Sequence, residues 1–184
     1  MTKDPRDELV DHIPALRAFA LGLTRNSANA DDMVQDTIVK AWTKIETFKT
    51  GSNMRSWLFT ILRNTYYSDF RKKRREVADS DGTFAGQLSE KPAHDGRLNL
   101  ADFERAFNTL PAEQREALFL VGALGETYES AAETIGIAVG TVKSRTNRAR
   151  ARLAEMLGIN DADAMELTDQ ATLGIVAQRA HSLS

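Results

Sequence analysis

Between residues 76 and 99 the helical period that governs the rest of this chain is lost. That stretch holds Gly82, Gly86, Pro92 and Gly96 among many Asp, Glu and Ser residues. Such a segment cannot bury enough apolar surface to offset its ordering entropy, so it reads as an acidic, flexible linker. On either side apolar residues recur at spacings of three and four, the mark of one buried helical face. Strand-period alternation is missing throughout. The expected fold is therefore all-α, with two small helical domains: residues 1–75, a linker 76–99, a second module 100–158 and a tail 159–184.

In the first module Leu9, Val10, Ile13, Leu16, Phe19, Ala20 and Leu23 share one face. Pro14 lies inside that pattern and lacks an N–H. A short helix should precede it, and a longer one should carry it in the first turn. Residues 26–29 (NSAN) read as a turn, and Asp31 and Asp32 as the start of the next helix, where carboxylates favour the positive end of the dipole. Its apolar face reads Val34, Ile38, Ala41, Trp42 and Ile45. After a loop of Lys49, Thr50, Gly51, Ser52 and Asn53, a long helix starts near Met54 and runs into five consecutive cations at 71–75.

In the second module Leu100, Phe103, Ala106, Phe107 and Leu110 form one face. Pro111 opens a helix that Gly122 to Gly125 should end. A short helix, Tyr128 to Ile135, is capped by Gly136. A turn of about four residues leads to a last helix from Thr141 to about Leu157, stopped by Gly158. Two short helices on a tight turn, the second basic, form a helix-turn-helix.

Charge separates the functional classes. The chain has 24 basic and 26 acidic residues, net −2, which on its face argues against nucleic acid. By segment, residues 51–75 carry +6 and 137–154 carry +5, while 76–136 between them carry −8. Within a Debye length of about 8 Å the local charge matters, not the molecular sum. With no cysteine, thiolate metal sites, disulfides and cysteine nucleophiles are excluded. The three histidines lie far apart without ligand spacing. No apolar run approaches a membrane span, and the N-terminus lacks a signal peptide's apolar core. Residues 136–144 imitate a phosphate loop, but Lys143 does not follow Gly140 directly. The expectation is a cytoplasmic protein that is not an enzyme and needs no cofactor or metal.

Three features could carry function. On the last helix Thr141, Lys143, Ser144, Arg145, Asn147 and Arg148 suit base edges and phosphates of a major groove. Between Trp42 and Arg75 lie seven of the thirteen aromatic residues together with the +6 block. Rings that stack bases and cations that follow the backbone suit single-stranded DNA. Asp32, Gln35 and Asp36 share a face that could grip an arginine-bearing helix. Each feature also has a plainer reading: a solvated basic helix end, an aromatic core, a wet acidic surface.

The motifs ADDMVQDTIVKAW (30–42), FKTGSNMRSWLFTILRNTYYSDFRKKRR (48–75), LPAEQREALFL (110–120) and VGTVKSRTNRARARL (139–153) resemble the ECF (extracytoplasmic function) sigma factors, over about residues 8–158. They are also similar to the alphaproteobacterial general-stress, EcfG-like subgroup. The resemblance implies that Asp32, Gln35 and Asp36 dock on the clamp helices of core RNA polymerase. It implies that residues 49–53 capture a flipped −10 base and that Asn64, Arg71 and Lys72 lie near the melted strand. Thr141, Lys143, Ser144, Arg145, Asn147 and Arg148 would then read the −35 element. Relatives often carry an apolar or aromatic side chain where Asn147 stands. An anti-sigma factor is the expected further partner. The rival expectations are a free-standing helix-turn-helix regulator and a sigma-mimicking interaction protein.

Overall fold

In the computed structural model, residues 4–78, 100–160 and Thr168 are described. Every regular element among them is helical. The chain divides into two units, Met1–Leu88 and Ser89–Ser184, each with its own core.

The first unit contains α1 (Pro5–Glu8), α2 (Ile13–Thr24), α3 (Ser27–Thr43) and α4 (Met54–Ala78). Pro14 lies in the first turn of α2, as its missing N–H requires. Helices α2, α3 and α4 pack on one another around Leu16, Phe19, Leu58, Phe59 and Leu62. Phe19 and Phe59 meet edge to face at 5.1 Å between ring centroids, a favoured aromatic geometry.

Four expectations shift here. Val10, expected on the buried face, is exposed. Helix α3 begins at Ser27, not at Asp31, because the Asn26 side chain accepts the Asn29 N–H at 2.9 Å and caps it. The carboxylates of Asp31 and Asp32 therefore stand in its second turn. Trp42 is not on the buried face but 56% exposed. The core-facing line is Ala30, Val34, Thr37 and Ala41, and at 3.6 residues per turn Trp42 stands about 100° from it. The Arg6 guanidinium lies 5.4 Å over its ring. Helix α4 continues to Ala78, past the expected boundary at residue 75. The remaining expected linker residues, 79–99, lie outside the described residues, as does the tail after 160 apart from Thr168.

The second unit contains α5 (Leu100–Thr109), α6 (Ala112–Leu118), α7 (Tyr128–Ile135) and α8 (Val139–Leu157). Helices α5, α6 and α7 all pack on α8. Val142, Thr146, Ala149 and Leu153 supply its buried stripe. After α6 the backbone widens into a π turn, Phe119–Ala123, which the sequence pattern does not announce. Gly136 ends α7 in the left-handed conformation (φ 77°), and Gly158 ends α8 likewise (φ 64°). Helix α8 starts at Val139, two residues before the expected Thr141, so the turn is tighter than four residues. In the phosphate-loop mimic, Gly136 is a helix cap and Gly140 belongs to α8, so no strand precedes it.

Candidate nucleic-acid interface

Helix α3 presents Asp32, Gln35 and Asp36 to solvent. Their neighbour Asp31 is used internally. Its carboxylate accepts from Arg17 Nε at 2.7 Å and ties α3 to α2. With the Ala30, Val34, Thr37 and Ala41 stripe buried, the next carboxylates face outward. Asp32 and Asp36 edge a groove of about 260 Å³ whose other walls include Met33, Tyr66, Asp69 and Phe70. The α4 residues of that groove were not legible in the sequence, because they become neighbours of α3 only through packing.

Lys49, Thr50, Gly51, Ser52 and Asn53 form an exposed loop between α3 and α4. The loop is a tight turn: the Ser52 N–H and hydroxyl both donate to the Lys49 carbonyl, at 3.0 and 2.6 Å. Gly51 takes φ 85°, where an L side chain is strained. Asn53 has a structural duty as well, since its Oδ1 accepts the Ser56 N–H at 3.1 Å and caps α4. The Phe48 and Trp57 rings, 5.3 Å apart, pin the loop to the start of α4.

Asn64, Arg71 and Lys72 are exposed on α4. Asn64 and Arg71 lie two turns apart on one stripe, about 20° apart in rotation, with Lys72 about 80° from Asn64. Tyr67 stands beside that stripe with the Arg63 guanidinium 4.6 Å over its ring. The aromatic residues thus divide. Phe59 is buried, whereas Trp42 and Phe70 are more than half exposed.

In the second unit the Thr127 hydroxyl caps α7 by accepting the Ser130 N–H at 3.1 Å. The turn from Gly136 then delivers α8. Thr141, Lys143, Asn147 and Arg148 are exposed and Ser144 is half-buried. Arg148 Nη2 donates to Ser144 Oγ at 2.6 Å, so these two form one polar patch. Lys143 Nζ lies 5.4 Å over the Tyr128 ring of α7. Arg145 is set apart: its Nη2 contacts Glu113 Oε2 of α6 at 3.2 Å. Among the described residues no cluster of three His, Cys, Asp or Glu could hold a metal ion, and no helix is long and apolar enough to cross a membrane.

The geometry is that of two exposed polar and basic surfaces on separate helical units. Sigma-70 region 2 matches residues 9–76, and Sigma-70, region 4 matches residues 100–153. The ECF RNA polymerase sigma factor EcfG of Rhodopseudomonas palustris (strain TIE-1) is 48% identical over 163 residues, 89% of this chain and 90% of that protein. The chain belongs to the ECF sigma factors. As such it is a transcription initiation subunit that brings RNA polymerase to promoters. Among solved structures, this sigma factor is similar to the sigma factor RpoE of Bartonella quintana, determined in complex with the anti-sigma factor NepR. The identity is 52% and the TM-score 0.74, over 86% of this chain and 99% of that one. It is also similar to CnrH, determined in complex with the cytosolic domain of CnrY, at 26% identity and TM-score 0.57. That match covers 83% of this chain and 86% of that one.

Proposed function

We propose that this ECF sigma factor divides its work between its two modules, residues 1–75 and 100–158, with 76–99 as the connection. Asp32, Gln35 and Asp36 dock on the clamp helices of core polymerase. The loop 49–53 traps an unstacked −10 base, and Asn64, Arg71 and Lys72 follow the melted strand. Thr141, Lys143, Ser144, Asn147 and Arg148 read the −35 duplex in the major groove. Extracting a base costs a few kcal/mol. Anchoring by α8 and by the polymerase core offsets that cost. The protein does this in the cytoplasm without a reaction or cofactor of its own. The likeness to the EcfG of Rhodopseudomonas palustris supports a stress regulon. The likeness to a sigma factor solved with NepR supports control by an anti-sigma protein that covers polymerase-binding surfaces.

The observation that carries the residue assignment is that, apart from half-buried Ser144, these residues are exposed, on helices whose other faces are buried or on the loop before α4. Reconstituted transcription with core polymerase tests it. Promoter-specific initiation should require this protein. Tight binding to duplex DNA alone, with no ability to direct core polymerase, would instead support a free-standing regulator.

A further inference from the structure

Six α8 side chains suit −35 recognition by residue type, but the helix does not present them equally. At about 100° per residue, Ser144, Asn147 and Arg148 lie within about 50° of the middle of the exposed stripe, while Arg145 lies about 110° from it, close to the buried stripe. The environments agree. The Arg145 side chain is only 21% exposed, and its guanidinium is paired with Glu113 in the first turn of α6 at 3.2 Å. Glu113 is 68% exposed, so the pair sits at the seam where α6 meets α8. An arginine that reads guanine needs its planar fork free to face the base edge. Here the fork is turned toward a carboxylate on a neighbouring helix. Reaching DNA would require breaking that pair and leaving Glu113 uncompensated beside a polyanion.

We propose that Arg145 is a positioning residue, not a base or phosphate contact. Paired with Glu113, it locks the rotation of α8 on α6 so that Ser144, Asn147 and Arg148 face the groove. This rests on the assignment of α8 to −35 reading and deepens it. The two ideas fail differently. If α8 does not read DNA, Arg148→Ala leaves promoter binding unchanged. If only the strut is wrong, Arg148→Ala is impaired and the Arg145 variants behave as direct contacts.

The experiment measures promoter binding by the reconstituted holoenzyme, as a function of salt, for Glu113→Ala, Arg145→Ala, the double variant, Arg145→Lys and the charge swap Glu113→Arg/Arg145→Glu. A strut predicts that the two alanine variants lose affinity by similar factors, several-fold each. The double variant should be no weaker than the worse single one, because both remove one interaction. The slope of log affinity against log salt should stay close to wild type, and the lysine variant and the swap should recover most of the loss. A DNA contact predicts otherwise. Arg145→Ala would then flatten the slope by about 0.9, the value for one duplex phosphate. Glu113→Ala would bind as well as wild type or better, and the swap would bind worst. That pattern overturns the proposal. Melting temperatures of all variants, expected within a few degrees of wild type, separate misfolding from misplacement.

Discussion

Arg148 is exposed on α8, and its guanidinium donates to Ser144 Oγ at 2.6 Å; under the proposed −35 role it would reach a base edge. Arg148→Ala should cost about 1–3 kcal/mol in promoter binding and relax specificity at one −35 position. Binding assays on a set of −35 point variants would show it, and a uniform loss across all of them would mean a phosphate contact instead. Gly51 poses a backbone question. A Cβ there meets nothing within 4 Å, so the penalty of Gly51→Ala is the left-handed φ alone, about 1–2 kcal/mol. Open-complex formation should fall several-fold while −35 duplex binding is unchanged. Wild-type opening would show that the loop needs no such turn. The part of Arg145 was not legible in the sequence, because its partner stands 32 residues away and meets it only once α6 and α8 have packed.

Individual helices were legible where their signals are local. Pro14 in the first turn of α2 and Gly136 and Gly158 as left-handed caps follow from one residue's backbone chemistry. The start of α3 misleads because two signals compete. Asp31 and Asp32 look like first-turn acids, but Asn26, five residues before Asp31, offers a better cap and the helix begins at Ser27. Removing that cap with Asn26→Ala should destabilise the first unit by about 1 kcal/mol, read as a lower melting temperature. No change would mean that the Arg17–Asp31 pair fixes the helix start by itself. Trp42 misleads for a different reason. It fits an apolar period, but the α3 core stripe is built from the small and branched side chains Ala30, Val34, Thr37 and Ala41, whose size lets the neighbouring helices approach. Thr37 can sit in that stripe because its hydroxyl donates to the Met33 carbonyl at 2.7 Å, leaving no unmet polar group.

At the scale of the whole molecule, a net charge of −2 conceals two basic blocks, and division along the chain was enough to expose them. The sequence also shows the two helical modules, since each carries its own apolar period. What only packing reveals is which carboxylates are spent on the fold and which remain for a partner: Asp31 is paired with Arg17, while Asp32 and Asp36 stay outside. Asp32→Ala combined with Asp36→Ala should therefore weaken assembly with core polymerase by at least tenfold without shifting the melting temperature. Affinity for core at the wild-type level would remove the docking assignment. One further consequence follows from α4, which runs unbroken from Met54 to Ala78. The loop that would hold an extruded base and the cations that would meet the strand beyond it stand at opposite ends of one rigid rod. From Asn53 to Arg71 the axial distance is about 27 Å, set by a rise of 1.5 Å per residue. Promoters can vary in the number of base pairs between their two recognition elements only if that slack is taken up somewhere other than this rod. If the loop and these cations both contact the melted strand as proposed, the helix would hold those two contacts at a fixed spacing.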